Sequence, residues 1–313
     1  MRILVTGGAG FIGSHVTDAF LAAGHEVAVV DDLSSGSREN LDPRVRFWQT
    51  DIRGDALGGI VGDFRPEVIS HHAAQMSVAV SARDPRLDAD INILGLLNLL
   101  EAAVRHRVRR VVFASTGGAM YGERDDLPTA ETTIPAPVSP YGVAKLAGER
   151  YLYAYQFMHG LEAVALRYAN VYGPRQNPHG EAGVVAIFCR AILEGRPVTV
   201  NGDGDQTRDY VFVEDIVRGN LLAVTMPAGS DMPIVNLGTG VESSVNRLVV
   251  ALREITGRAV EARHAPAKVG EQRRSALDAG LAKRRLGWEP RTDFQTGLAR
   301  TFAWFAERAG AGR

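Results

Sequence analysis

Residues Met1 to Asp32, reading MRILVTGGAGFIGSHVTDAFLAAGHEVAVVDD, constrain the fold more than any other stretch of the chain. The apolar run Ile3 to Val5 leads into a glycine-rich loop, Thr6 to Gly13. A helical pattern follows, in which Phe11, Ile12, Val16, Ala19, Phe20 and Ala23 share one face. A second apolar run, Val27 to Val30, ends at Asp31. Strand, loop, helix and strand make a βαβ unit, with an acid about 20 residues beyond the glycines.

Each part has a physical use. Gly7 lets the chain turn out of the strand, Gly10 lets backbone amides approach a pyrophosphate, and Gly13 lets the helix lie close on the sheet. The spacing is GxxGxxG, one residue away from the GxGxxG of most dehydrogenases. Unpaired N–H groups at the helix start, with Phe11 and Ile12 in its first turn, offer partial positive charge to phosphates. Asp31 can accept hydrogen bonds from both hydroxyls of an adenosine ribose and would repel a 2′-phosphate, which argues for NAD over NADP.

Alternation continues down the chain. Strands are expected near Val45 to Gln49, Glu67 to His71, Val111 to Phe113 and Glu162 to Arg167. A long helix is expected from Asp88 to His106, and another is opened by Ser139 as N-cap with Pro140 at the first helical position, running to Met158. Six strands alternating with helices argue an α/β chain with a doubly wound parallel sheet. After Gly173-Pro174 the texture changes to loops, short strands around Val198 and Tyr210, and a helix opened by Asp215. The expectation is a sheet domain over residues 1–173 and a smaller, discontinuous C-terminal substrate domain over 174–313, with about 208–226 packing back on the first. Ile234 to Leu237 is read as part of the tail.

Composition excludes several classes of partner. A net charge of −1 over 313 residues leaves no basic footprint for nucleic acid or an anionic membrane. No stretch is apolar for the ~20 residues of a membrane span. The single cysteine, Cys189, has no intrachain partner, and Met1 runs straight into the first strand, so a cytoplasmic setting is expected. His71 and His72, adjacent on a strand, point to opposite faces, and no metal site is expected.

Chemistry concentrates at Tyr141 and Lys145, one helical turn apart on the same face. A phenol is a poor base at neutral pH, and a nearby ammonium favours the phenolate. Ser115-Thr116 end the strand at Val111 to Ala114, which puts a hydroxyl at the carboxyl edge of the sheet, where such folds bind ligands.

With these residues in view, the chain resembles the extended short-chain dehydrogenase/reductases, and within them the NAD-dependent nucleotide-sugar epimerases of the UDP-glucose 4-epimerase type. The resemblance rests on TGGAGFIGSH (Thr6 to His15), DDLSSG (Asp31 to Gly36), DI (Asp51 to Ile52), HHAAQ (His71 to Gln75), STGGAMYG (Ser115 to Gly122), SPYGVAK (Ser139 to Lys145), LRYANVYGPR (Leu166 to Arg175) and RDYVFVED (Arg208 to Asp215). It implies a Rossmann-type fold that binds NAD and a UDP-sugar, and a homodimer packed through the two long helices.

By position, the resemblance implies Tyr141 as base, Lys145 as its partner and ribose ligand, and Thr116, with Ser115 as the alternative, as the hydroxyl on the sugar oxygen at C4. The family hydroxyl usually sits four residues before the tyrosine of the YG pair, and here one residue is inserted. NAD would meet Gly7, Gly10, Phe11, Ile12, Gly13, Asp31, Asp32, Ser35, Gly36, Asp51, Ile52, Ala73, Ala74, Gln75, Asn92 and Tyr168. The uridine diphosphate would meet Asn170, Arg208 and Lys268, the last standing where arginine is common. Small Ser275, at the position that gates N-acetylated sugars in related enzymes, implies room for them.

The implied reaction inverts C4 of a UDP-hexose through a 4-keto intermediate. A nucleotide-sugar 4,6-dehydratase would need an acid after Thr116, where Gly117-Gly118-Ala119 stand. UDP-glucuronate 4-epimerase is a further alternative, and a catalytically silent NAD-binding regulator would commonly lack Tyr or Lys of the pair.

Overall fold

The computed structural model describes residues 1–178, 183–229, 231–267 and 272–311. The first unit is β1 (Arg2–Thr6), α1 (Phe11–Ala22) and β2 (Glu26–Asp31), followed by β3 (Arg46–Gln49), α2 (Ala56–Phe64) and β4 (Val68–His71). Next come α3 (Val78–Arg83), α4 (Pro85–Ala89), a single π turn at Asp90–Leu94, α5 (Gly95–Arg105), β5 (Arg110–Thr116), α6 (Pro140–His159) and β6 (Glu162–Tyr168). The remainder runs through β7 (Asn170–Tyr172), α7 (Val184–Leu193), β8 (Val198–Asn201), β9 (Thr207–Phe212), α8 (Val213–Thr225), β10 (Ile234–Leu237), β11 (Glu242–Ser244), α9 (Val245–Thr256), β12 (Ala262–Ala265), α10 (Gly280–Leu286) and α11 (Phe294–Ala311).

Seven strands form one parallel sheet in the order β10-β6-β5-β4-β1-β2-β3. Its central strands are apolar on both faces, as burial under helices on both sides requires. Strand order reverses between β1 and β4, so the carboxyl ends of β1, β4 and β5 border the crevice where such sheets take ligands. Two core clusters lie on opposite faces of the sheet, one holding Val5, Phe20 and Leu166, the other Leu4, Leu99 and Phe113.

Four sequence expectations change. Ile234 to Leu237 is the seventh strand of the main sheet, pairing with β6, rather than an isolated piece of tail. Four residues bounded by Pro233 and Gly238 show no βα periodicity, so only tertiary pairing reveals the strand. The buried face of α1 is Gly13, Ser14, Val16, Thr17 and Phe20, while Phe11, Ile12 and Ala19 are half-buried and Ala23 is exposed. Close backbone approach wins there: the Thr17 hydroxyl donates to the Gly13 carbonyl at 2.8 Å, so small and polar residues face the sheet. The helix expected from Asp88 begins at Pro85 and is interrupted by the π turn, with Asp84 capping it by accepting from Leu87 N. Helix α8 likewise starts at Val213, two residues before Asp215, whose carboxylate instead accepts the amides of Arg291 and Thr292.

The remaining strands make a three-stranded sheet, β11-β9-β7, and a parallel pair, β12-β8. With α7, α9 and α11 they enclose a third core cluster around Phe188, Phe212, Leu248 and Leu298. Helix α8 packs back against α1. Among the described residues no helix is long and apolar enough to cross a membrane.

Candidate active site

The glycine loop folds as a backbone cradle. Gly7 has φ of +69°, and a methyl there would lie 2.5 Å from Ala73 N on β4's end. A methyl on Gly13 would overlap the Gly7 carbonyl, so α1 can begin only where a glycine lets it touch the loop. Gly10 is the N-cap and supplies no side chain to the first helical amides, which stay open to an anion. Asp31 is buried at the tip of β2. Its Oδ2 accepts Ala9 N at 2.9 Å and its Oδ1 accepts Leu33 N at 2.8 Å. Burial pushes its pKa up, and those amides oppose the rise. Each carboxylate oxygen keeps a second lone pair for a ribose hydroxyl. A dinucleotide therefore fits this chain's own residues: an open helix end for phosphates and a carboxylate held by backbone amides.

Around the cradle, Gly36 packs on Ala9, with Ser37 N donating to Ala9 O at 3.0 Å. Ser35 is exposed, and Asp32 turns to Ser34, accepting from its amide and hydroxyl. Asp51 is paired with Arg53, which holds its carboxyl below the ordinary range, while Ile52 is buried under Gly95. Phe11 and Ile12 are half-buried in the first turn of α1, and Ala73 and Ala74 are half-buried just beyond β4. Tyr168 is buried with its hydroxyl on Asn220 and its ring stacked on His72. His71 lies on the other side, against Phe113 and the Thr6 hydroxyl, as the alternation of a strand dictates.

Helix α6 carries the candidate pair, Tyr141 and Lys145. Ser139 caps it through Gly142 N, and Pro140 occupies the first position. The Thr116 hydroxyl lies beside the Tyr141 phenol, where it favours the ionised form, and Thr116 Oγ1 accepts Ala119 N at 3.2 Å. Ser115, the next residue back on β5, points the other way and donates to Glu149 Oε1 at 2.7 Å in the interior. Lys145 is buried, donates to the Ala114 carbonyl at 2.9 Å and sits 5.9 Å from the centroid of the Tyr141 ring. Burial pushes Lys145 down to about 8, opposed by Asp88 and Glu149.

The expectation that a nearby ammonium favours the phenolate meets an opposing effect here. Burial, reinforced by the Asp88 charge, pushes Tyr141 above the ordinary phenol value, and the neighbouring Thr116 hydroxyl opposes it. A further positive charge entering the site would act against that burial and favour the phenolate.

Sequence reading missed Asp88. It lies one turn before Asn92, buried, and its Oδ1 accepts Gln75 Nε2 at 2.7 Å and Asn92 Nδ2 at 3.0 Å. Asn92 completes the clamp by accepting Gln75 N and donating to Gln75 O. The signal was available: an acid and an amide at i, i+4 on the inward face of a helix have to satisfy each other.

Across the crevice, the Asn170 Oδ1 on β7 is buried with no hydrogen-bond partner among the described residues, as is Gln206 Oε1. Arg208, on the neighbouring β9, donates to Thr207 O at 2.7 Å. Ser275 is buried, and Leu277 beyond it packs on Gly117 and donates its amide to Asp209 at 3.1 Å. Lys268 lies outside the described residues. Gly117, Gly118 and Ala119 follow Thr116 and bring no carboxyl to the pocket.

Comparison with known proteins places this geometry. Residues 3–238 match the model of the NAD dependent epimerase/dehydratase family. The chain is 46% identical over 314 residues to the UDP-glucose 4-epimerase of Mycolicibacterium smegmatis, covering 99% of this chain and 100% of that one. It is similar to the crystal structure of UDP-glucose 4-epimerase with UDP-glucose from Thermotoga maritima: TM-score 0.96, 48% identity, 99% of this chain and 100% of that chain. It is also similar to the Thermus thermophilus UDP-glucose 4-epimerase complex with NAD, with a TM-score of 0.92, 47% identity, and 97% and 99% covered.

Proposed function

The chain belongs to the NAD dependent epimerase/dehydratase family, and from that premise we propose that it inverts C4 of a UDP-hexose, interconverting UDP-glucose and UDP-galactose. The observation that carries this reading is the Tyr141 phenol beside the Thr116 hydroxyl, one turn from Lys145, at the sheet edge beside the glycine cradle. Tyr141 takes the proton of the C4 hydroxyl and later returns it, and Thr116 holds the same oxygen in line. NAD, when bound, supplies the hydride chemistry and the positive charge that favours the phenolate. Lys145 holds the nicotinamide ribose and the phenol. Asn170, Arg208 and Lys268 grip the diphosphate, so the 4-keto sugar stays tethered while its hexose turns over. Arg208 suits that task because a planar guanidinium meets phosphate oxygens in pairs.

The cofactor side comprises Gly7, Gly10, Phe11, Ile12, Gly13, Asp31, Asp51, Ile52, Ala73, Gln75 and Asn92. The third core cluster forms the substrate side, and the chain crosses back to the main sheet through α8 and β10. Ser275 leaves space for an N-acetyl group. Leu94 at the end of the π turn, with Val143, Tyr151, Phe157 and Met158 along α6, exposes apolar area, which supports a homodimer through that region. A cytoplasmic location fits an enzyme of nucleotide sugars with one buried cysteine.

The test is incubation of the purified protein, without added cofactor, with UDP-galactose, UDP-N-acetylglucosamine, UDP-glucuronate and dTDP-glucose in separate reactions. Conversion of UDP-galactose to UDP-glucose, with NAD released on denaturation, is expected. A product that has lost water would replace this reading with a dehydratase.

A further inference from the structure

Asp88 is buried on α4, which packs against α6, and has no part in the reaction as derived above. Its Oδ1 binds the side chains of Gln75 and Asn92. Two carboxylates act on Lys145, and they differ. Glu149 is held by Arg167 through two hydrogen bonds of 2.8 and 2.6 Å, so its charge is already matched. Among the described residues Asp88 is in no ion pair.

We propose that Asp88 is a positioning residue for the catalytic helix: its carboxylate is the counter-charge that keeps the buried Lys145 ammonium protonated, while the same group ties Asn92 and Gln75 into one clamp. The inference rests on Tyr141 and Lys145 being the reacting pair. The groups facing Lys145 are Asp88 from α4, Glu149 from its own helix, His71 and His72 from the end of β4, the Phe113 ring and the Ala114 carbonyl. Burial pushes both histidines well down, so they are neutral and offer no compensation. Burial pushes the Asp88 carboxyl up while Gln75, Asn92 and the Lys145 charge oppose that rise, and Asp88 is thus the unmatched carboxylate in the shell. The same charge opposes ionisation of Tyr141. Removing it must therefore favour the phenolate and disfavour the ammonium together, moving both titrations toward acid.

Lys145, Lys268 and Lys283 are the only lysines in the chain, so lysine-selective isotope labelling gives an NMR spectrum with three side-chain signals, and Lys145→Met assigns the one that matters. Asp88→Asn keeps an oxygen acceptor for Gln75 and Asn92 while deleting the charge. Its Lys145 midpoint is expected to fall by about one pH unit, with the alkaline limb of UDP-galactose turnover moving the same way. Asp88→Ala, which gives up the hydrogen bonds as well, is expected to show the same shift with a larger loss of turnover. Midpoints unmoved in both variants would overturn the proposal, since a purely structural aspartate would lower activity without displacing either titration. The NMR titration needs neither substrate nor cofactor. A shifted midpoint in a protein inert toward UDP-galactose would sink the epimerase reading and leave this one standing.

Discussion

The cradle for the dinucleotide and the wall proposed to meet the sugar nucleotide face each other across the carboxyl edge of the sheet, and they draw on the chain in opposite ways. Residues 6–36 supply nearly all of the cradle, through backbone amides, glycines that admit close approach, and Asp31 fixed by two amides. The wall takes Thr116 from β5, Asn170 from β7, Arg208 from β9 and Ser275 from a loop pinned by Asp209. A backbone cradle fails as a unit when one glycine gains a methyl. A side-chain wall fails one contact at a time, with geometry intact. Binding of the cofactor and turnover of the sugar should therefore respond to different substitutions, and five variants probe that separation.

The largest effect belongs to the point where the two sides meet. Tyr141→Phe is expected to lower kcat by about 10²- to 10⁴-fold while NAD stays bound, measured by progress curves beside cofactor content; a variant that turns over at the original speed would break the account. On the wall, Arg208→Ala should raise KM by roughly 10- to 150-fold, the equivalent of losing a charge-assisted hydrogen bond worth about 1.5–3 kcal/mol, with kcat and bound NAD little changed. Loss of NAD from this variant would show that the two sides are not separable.

In the cradle, Gly13→Ala should strip the protein of NAD and cost about 1–3 kcal/mol in stability, because the methyl overlaps the Gly7 carbonyl. Thermal unfolding and released-nucleotide analysis read both quantities, and retention of NAD at wild-type content would contradict the close-approach argument. The smallest effect sharpens the assignment of the hydroxyl. Ser115→Ala should cost about 1 kcal/mol of stability, since Glu149 loses a buried donor, yet leave kcat nearly intact. Thr116→Ala should do the reverse. Equal losses of kcat in both would mean that the orientation of the two hydroxyls does not decide the chemistry.

The same division explains what was legible in the sequence. Met1 to Asp32 announces its unit because strand, glycine loop, helix and acid are contiguous, and each local signal agrees with the next. Ser139-Pro140 marks the start of α6 for the same reason: an N-cap and a first-turn proline are local facts. What escaped is what depends on distant segments. β10 is four residues long and becomes a sheet strand only by pairing with β6. The buried face of α1 departs from its apolar pattern because Gly13 and Thr17 serve backbone approach. Spacing puts Tyr141 and Lys145 on one face, but burial, which decides their protonation, is set by Phe113, Ala114 and Asp88 from two other elements.

The central claim is that the carbon at C4 gives up its hydrogen within the closed site and receives the same hydrogen back on the other face. UDP-galactose deuterated at C4, incubated with the protein and no added cofactor, tests it directly. The account predicts UDP-glucose that retains deuterium at C4. UDP-glucose carrying solvent hydrogen at that carbon, or no UDP-glucose at all, would contradict it.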